Sequence, residues 1–153
     1  MKFILKKLDH TEIIASEIAK FIRDSNGFYT FLLHGNLGTG KTTLVRAILK
    51  NLGWNKPVKS PTFSIVEEYS LPSKEIYHAD LYRLKNSNDF EMLGLDINFH
   101  NPGILFVEWP EIIADDIEGV IVEIFIEMGR KHRSLEIKTV CDDFLTCINR
   151  INI

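Results

Sequence analysis

The chain has 153 residues, of which 45% are hydrophobic and 25% are charged, and its formal net charge is −3. These proportions are typical of a folded globular protein, and the length favours a single domain, residues 1–153, with a sizeable core. The charge argues against a general nucleic-acid binder, because such a protein needs a basic surface to neutralise phosphates. No direct DNA binding is therefore expected, and any link to RNA is expected to run through a partner.

The two cysteines indicate the compartment. Cys141 and Cys147 have no metal-ligand companions nearby, and the chain shows no signal peptide. We expect both to be small packing residues in a cytoplasmic protein with no membrane segment.

The first predicted elements are an edge strand, residues 3–7, and an amphipathic helix. Asp9 and Glu12 stand at capping-box spacing at the start of this helix. Its apolar residues recur at helical spacing: Ile14, Ile18, Phe21 and Ile22. The helix is expected to end at residues 25–27. Thr11 falls in its first turn, where the hydroxyl either belongs to the helix alone or faces a ligand.

A glycine-rich loop joins the next strand, residues 29–34, to the next helix, residues 41–52. The loop fits the pattern G-x-x-x-x-G-K-[ST] without a mismatch. Its fixed positions are Gly35, Gly40, Lys41 and Thr42. With a strand before it and a helix after it, this pattern predicts a phosphate-binding P-loop.

The residue types of the loop suit a polyphosphate. Backbone N–H groups at the positive end of a helix attract negative charge, and the glycines at 35, 38 and 40 allow the backbone to approach closely. Lys41 is predicted to reach the β- and γ-phosphates, and the Thr42 hydroxyl to ligate Mg²⁺. Thr43 adds a second hydroxyl nearby.

A β-hairpin is predicted after the P-loop helix, with residues 63–69 and 75–79 as its strands. Ser60 and Thr62 precede it, either as switch residues near the γ-phosphate or as ordinary turn hydroxyls. Asp80 directly follows the second strand. There a Walker-B-like carboxylate would hold Mg²⁺ through water or orient the attacking nucleophile, whereas a solvated acid at a strand end is the alternative.

A covering helix, residues 87–95, is predicted before a second buried strand, residues 103–107. Glu108 follows at the carboxyl end of that strand, where open α/β sheets bind ligands. Trp109 either packs on the substrate side or closes the core. A short helix over residues 111–117 is expected next.

Two further strands, residues 120–127 and 134–140, are predicted around a basic turn, residues 129–133. A cation of this turn either meets a nucleotide or is simply solvated. The tail, residues 141–153, has helical spacing. Together the elements predict an α/β protein with a P-loop NTPase-like three-layer fold, a mixed, mostly parallel sheet and a β-hairpin insertion.

Four blocks in this order resemble the TsaE (YjeE) family of bacterial P-loop ATPases: the P-loop through Thr43, S-P-T-F at 60–63, H-x-D-L-Y-R at 78–83 and E-W-x-E at 108–111. The resemblance covers about residues 5 to 140. It implies an ATPase that uses ATP and Mg²⁺ and is required for threonylcarbamoyladenosine in tRNA. The implied partner is the TsaB–TsaD heterodimer, through which the protein reaches tRNA indirectly.

The resemblance also implies roles for individual residues. Lys41 would hold phosphates, and Thr42 and Glu108 would ligate Mg²⁺. Asp80 would be the Walker-B-like acid near the attacking water. The other nucleotide contacts that it implies are Thr11, Gly38, Thr39, Gly40, Thr43, Glu111 and Arg130.

The predicted reaction is phosphoryl transfer from Mg-ATP to water, in which positioning and charge neutralisation dominate. Either Asp80 or Glu108 would orient the water. No arginine is placed by sequence as a finger, so turnover is expected to be slow alone and faster with the partner. Two alternatives remain open, which are a small-molecule or nucleotide kinase and a non-catalytic interaction module that uses nucleotide as a structural ligand.

Overall fold

The secondary structure is given by a computed structural model, which describes residues 1–95, 97–113, 117 and 119–153. The strands are β1 (Lys2–Leu5), β2 (Phe28–His34), β3 (Val66–Leu71), β4 (Lys74–Asp80), β5 (Gly103–Glu108), β6 (Val120–Met128) and β7 (Arg133–Thr139). The α-helices are α1 (Leu8–Asp24), α2 (Lys41–Asn51), α3 (Ser87–Glu91) and α4 (Asp142–Ile148), and a 3₁₀-helix spans Pro110–Ile112. Within these ranges no helix combines the length and the apolarity needed to cross a bilayer.

The strands form one seven-stranded sheet in the order β1-β7-β6-β2-β5-β4-β3. The central strands β6, β2, β5 and β4 pair in parallel, whereas β4–β3, β6–β7 and β7–β1 pair antiparallel. Because β1 is antiparallel to β7, it runs with the four central strands, and only β3 and β7 run against them. The predicted mixed, mostly parallel sheet with a β3–β4 hairpin is confirmed.

Both faces of the central sheet are buried, which explains the nearly continuous apolar runs of its strands. On β2, Phe31 and Leu33 pack on one face in a cluster with the apolar residues of α1, α2 and α4. Phe28 and Leu32 pack on the other face in a cluster that includes Phe90 of α3. The result is the expected three-layer α/β arrangement of a P-loop NTPase-like fold.

The start of α1 differs from the prediction. Its N-cap is Lys7, whose side chain makes no capping hydrogen bond, and Asp9 lies inside the first turn. The capping-box interpretation of Asp9 and Glu12 is therefore wrong, although the Asp9 charge still lies at the favourable end of the helix dipole. The predicted apolar residues of this helix are buried: Ile14, Ile18, Phe21 and Ile22.

Several predicted elements are shorter in the structure. The covering helix ends at Glu91, and its N-cap Asn86 accepts a hydrogen bond from the Asp89 amide. β3 begins only at Val66, because a turn precedes it. Of the helix predicted over residues 111–117, the structure has the 3₁₀-helix at its start, and residues 114–116 lie outside the described part of the chain.

Candidate nucleotide-binding site

The loop between β2 and α2 has two glycines with a positive φ whose surroundings leave no room for a side chain. Gly35 has a φ of 143°, and Gly40, the N-cap of α2, has a φ of 110°. A Cβ on Gly35 would overlap the carbonyl oxygen of Ile126, and one on Gly40 would lie 2.7 Å from Nη1 of Arg133. The chain therefore turns sharply into α2, and the unpaired N–H groups of the first helical turn lie at the loop.

The ammonium group of Lys41 lies inside this loop. The residue is only 4% exposed. Its Nζ donates hydrogen bonds to the carbonyl oxygens of Gly35, at 2.6 Å, and Asn36, at 3.2 Å. The same nitrogen lies 4.2 Å from the centre of the Trp109 ring. The cation is thus held by two carbonyl oxygens of the loop and by an aromatic ring.

Burial lowers the pKa of Lys41 below its ordinary value of 10.5, because desolvation disfavours the charged ammonium. Three carboxylates act in the opposite direction, and they belong to Glu108, Asp80 and Glu111. A phosphate beside the ammonium would act in the same direction as these carboxylates, because an opposite charge favours the charged form.

Glu108 and Thr42 meet at the carboxyl end of β5. The Thr42 hydroxyl donates a 2.7 Å hydrogen bond to Oε1 of Glu108, and that residue is 3% exposed. The parallel pairing of β2 with β5, which sets Leu33 beside Glu108, brings the carboxylate next to the P-loop. His78, which is fully buried, lies 2.9 Å from the same oxygen through its Nε2.

Asp80 reaches the site from the neighbouring strand, where its backbone pairs with Glu108. It is 7% exposed, accepts a hydrogen bond from the Tyr82 amide at 3.1 Å, and lies 3.3 Å from the Thr62 hydroxyl. The Ser60 and Thr62 hydroxyls lie 2.8 Å apart. The loop before the hairpin therefore contacts the acid at the end of the hairpin's second strand.

The P-loop, both acids and the two loop hydroxyls line one cavity of about 190 Å³. Its lining residues are Leu37, Gly38, Gly40, Lys41, Thr42, Thr43, Ser60, Thr62, Asp80, Glu108 and Trp109. Thr39 lies beneath the loop instead, with its hydroxyl donating to the Asn36 carbonyl oxygen at 2.9 Å.

Arg133, the first residue of β7, also contacts the P-loop. Its Nη1 donates to the Thr39 carbonyl oxygen and its Nη2 to the Thr11 hydroxyl, both at 3.4 Å. Thr11 is buried and thus joins the loop through this guanidinium. Arg130 is exposed in the turn and lines, with Arg133, a separate cavity of about 320 Å³.

Trp109 and Glu111 follow Glu108 along the chain, but their side chains have different surroundings. Trp109 has a φ of 57° and a ψ of 58°, which is unusual for a residue other than glycine, and its side chain lines the cavity. Glu111 is exposed, and its Oε1 lies 3.7 Å from Nδ1 of His34. Unlike the two buried acids, Glu111 is not among the residues that line the cavity.

Two contacts in the site were not anticipated from the sequence. His78 precedes Asp80 by two positions, and period-2 alternation therefore places both on one face of β4. The two-residue spacing therefore predicts that His78 lies on the same side of the sheet as Asp80. Arg133 stands at the end of the basic turn, and charge alone did not separate it from Arg130.

Comparison with known proteins decides the family. The family model described as "Threonylcarbamoyl adenosine biosynthesis protein TsaE" matches residues 5–136. The chain belongs to the TsaE family. Curated TsaE relatives, each named as a tRNA threonylcarbamoyladenosine biosynthesis protein, include that of Aquifex aeolicus, 39% identical over 85% of this chain and 92% of its own, and that of Bacillus subtilis, 35% identical over 78% and 72%.

Other matches differ in their extent. The TsaE protein of Haemophilus influenzae is 47% identical over 52% of this chain, and the match spans only 50% of its own length. The crystal structure of Bacillus subtilis YdiB superposes with a TM-score of 0.72 over 97% of this chain and 91% of its own, at 24% identity. The YdiB likeness supports the P-loop NTPase-like fold, and membership of the TsaE family connects the chain with biosynthesis of threonylcarbamoyladenosine in tRNA.

Proposed function

We propose that this TsaE-family protein binds Mg-ATP in the P-loop cavity and hydrolyses it as an accessory ATPase of tRNA threonylcarbamoyladenosine modification. The observation that carries the proposal is the 2.7 Å hydrogen bond from Thr42 to Glu108 beside the buried ammonium of Lys41. A hydroxyl, a carboxylate and a cation at the start of a helix are the groups that a P-loop uses for phosphate and magnesium.

The residues present fit Mg²⁺. Thr42 and Glu108 supply hard oxygen donors, and we propose that they hold the ion. Among the described residues no group of three or more His, Cys, Asp or Glu side chains could hold a metal. In nucleotide sites Mg²⁺ is commonly bound by one or two protein oxygens, and phosphates and waters complete its coordination. When bound, the ion would neutralise charge on the phosphates.

The remaining groups would act by position and charge. We expect Lys41 to exchange the carbonyl oxygens of Gly35 and Asn36 for the phosphates. We propose that the buried carboxylate of Asp80 orients the attacking water, because Glu108, hydrogen-bonded to Thr42, is assigned to the magnesium ion. Hydrogen-bond donors and cations that are fixed around the cavity stabilise the transferring group without having to reorganise.

A partner is proposed because apolar side chains border the cavity. Leu37 is 82% exposed, Phe63 is 84% exposed and Tyr82 is 59% exposed. Tyr82 packs on Trp109 with ring centres 4.9 Å apart, and this links the exposed surface to the site. The TsaB–TsaD heterodimer is the partner that we propose for this surface. Among the residues that the structure describes, no arginine lines the cavity. We propose that a group from the partner supplies that charge in trans.

The test is ATP hydrolysis by the purified protein with and without the TsaB–TsaD heterodimer. We expect the protein alone to release phosphate slowly, and we expect the heterodimer to increase the rate of release about tenfold or more. Lys41→Ala in the same assay is the control for contaminating ATPases and should abolish both rates. An unchanged rate with the heterodimer would contradict the partner. If the phosphoryl group of ATP is transferred to an added metabolite faster than ATP is hydrolysed, the protein is instead a kinase.

A further inference from the structure

A histidine is buried between the sheet and the P-loop, and the roles proposed above do not use it. His78 lies on β4 and is 0% exposed. Its Nε2 lies 2.9 Å from Oε1 of Glu108, and the side chain of Glu108 is itself only 4% exposed. The pair is therefore shielded from water, where a hydrogen bond fixes geometry more strongly than at the surface.

The direction of this hydrogen bond follows from the chemistry of its partner. A carboxylate oxygen only accepts hydrogen bonds, so Nε2 of His78 must be the donor. The other ring nitrogen, Nδ1, is buried and has no hydrogen-bond partner among the residues that the structure describes. Leaving a buried ring nitrogen unpaired costs free energy, and an apolar residue would avoid that cost. The hydrogen bond to Glu108 is thus the feature that distinguishes histidine from an apolar residue here.

The two side-chain hydrogen bonds that the structure gives Glu108 share one oxygen. Oε1 accepts from the Thr42 hydroxyl at 2.7 Å and from His78 at 2.9 Å. Two donors from different elements, α2 and β4, fix the rotamer of the carboxylate, and neither of them uses Oε2. Side chains that bind metals are commonly oriented in this way by a neighbouring hydrogen-bond donor.

We propose that His78 is a positioning residue that holds Glu108 in the orientation needed to bind the magnesium of the bound nucleotide. This rests on the proposed function, since Glu108 is there a magnesium ligand. His78 is fully buried and is not among the residues that line the P-loop cavity. Its effect should appear in metal affinity more than in binding of metal-free nucleotide.

The experiment measures Mn²⁺ binding to the ADP-bound protein by electron paramagnetic resonance, and ADP affinity in EDTA by calorimetry. His78→Leu removes the donor and leaves an apolar side chain in the core. His78→Gln is the matched variant, because its amide N–H can replace the Nε2 donor. We expect the Mn²⁺ dissociation constant to rise about tenfold or more in His78→Leu. It should recover to within about threefold of wild type in His78→Gln.

Three results would overturn the inference. The first is a folded His78→Leu protein with wild-type Mn²⁺ affinity, and the second is an equal loss of metal-free ADP affinity, which would indicate only a structural role. The third is a His78→Gln variant as weak as His78→Leu. If wild-type protein with ADP does not bind Mn²⁺ at all, the proposed function has failed instead, and the two failures are distinguishable.

A measurement on the wild-type protein keeps the inference testable if His78→Leu does not fold. Long-range proton–nitrogen NMR spectra of protein with ¹⁵N-labelled histidine identify which ring nitrogen carries hydrogen. We expect hydrogen on Nε2 of His78, because that nitrogen donates to Glu108. An Nε2 without hydrogen would exclude the donor role.

Discussion

Nζ of Lys41 lies 4.2 Å from the centre of the Trp109 ring. Trp109 reaches this place through a left-handed backbone directly after β5, a conformation that costs about 1–3 kcal/mol for residues other than glycine. The cation–π contact offsets part of that cost, with about 0.5–2 kcal/mol. The P-loop cation is therefore held by a ring and by two carbonyl oxygens of the loop.

Nucleotide binding is expected to take up protons at alkaline pH. Burial lowers the pKa of Lys41 in the free protein, and phosphate charges should raise it again in the complex. Between these two values the complex holds more protons than the free protein, and the affinity for nucleotide falls as the pH rises through this interval. Calorimetric titration with ADP in buffers of different ionisation enthalpy measures the uptake.

The control for this titration is Lys41→Arg. A guanidinium stays charged across the range, so this variant should bind ADP without proton uptake from this position. Wild-type protein that takes up no protons at pH values approaching 10.5, the ordinary pKa of lysine, would contradict the expected change in Lys41.

The two buried acids are expected to have separable roles. Glu108→Gln removes the negative charge of the side chain that accepts a hydrogen bond from Thr42. Mg²⁺ should increase the ADP affinity of this variant about tenfold less than it increases that of wild type. Asp80→Asn should bind Mg-ADP within about threefold of wild type but hydrolyse ATP about 10²-fold more slowly, because it cannot orient water as a carboxylate does. If Asp80→Asn hydrolyses ATP at the wild-type rate, Glu108 is left as the water-orienting acid.

The two arginines of the basic segment offer a matched pair. Arg133 hydrogen-bonds Thr39 and Thr11, whereas Arg130 is exposed. We expect Arg133→Ala to weaken ADP binding by about tenfold, the equivalent of losing one charge-assisted hydrogen bond. Arg130→Ala should change it by less than about threefold, as is usual for an exposed charge. ADP titrations of both variants measure these effects, and the reverse order would support the nucleotide contact predicted for Arg130.

Much of this site follows from the sequence because apolar runs end in chemically distinct residues. Glu108 and Asp80 each end a buried parallel strand, and the carboxyl ends of such strands meet at one edge of the sheet. The choice between Arg130 and Arg133 did not follow, since the register of the β6–β7 hairpin decides which arginine faces the loop. The left-handed backbone of Trp109 also gave no local signal, because a tryptophan rarely adopts it.

The C-terminal helix α4 is expected to be needed for stability, although the TsaE family model ends at residue 136. Phe144 is 0% exposed and packs edge-on against Phe21, with ring centres 5.0 Å apart. Phe144→Ala should lower the free energy of unfolding by about 3–5 kcal/mol in urea. Val140→Ala, at a residue that is 94% exposed, is the control and should change it by less than about 0.5 kcal/mol. Equal stabilities would mean that the tail is not part of the folded core.

The most direct measurement is a calorimetric titration of wild-type protein and Thr42→Val with ADP, each in Mg²⁺ and in EDTA. Val replaces the hydroxyl of Thr42 with a methyl group and leaves the P-loop amides and Lys41 in place. Wild-type protein should bind one ADP more tightly in Mg²⁺ than in EDTA, and Thr42→Val should lose that difference while still binding in EDTA. Wild-type protein that binds no ADP, or that binds it equally well with and without Mg²⁺, would contradict a magnesium–nucleotide site at Thr42 and Glu108.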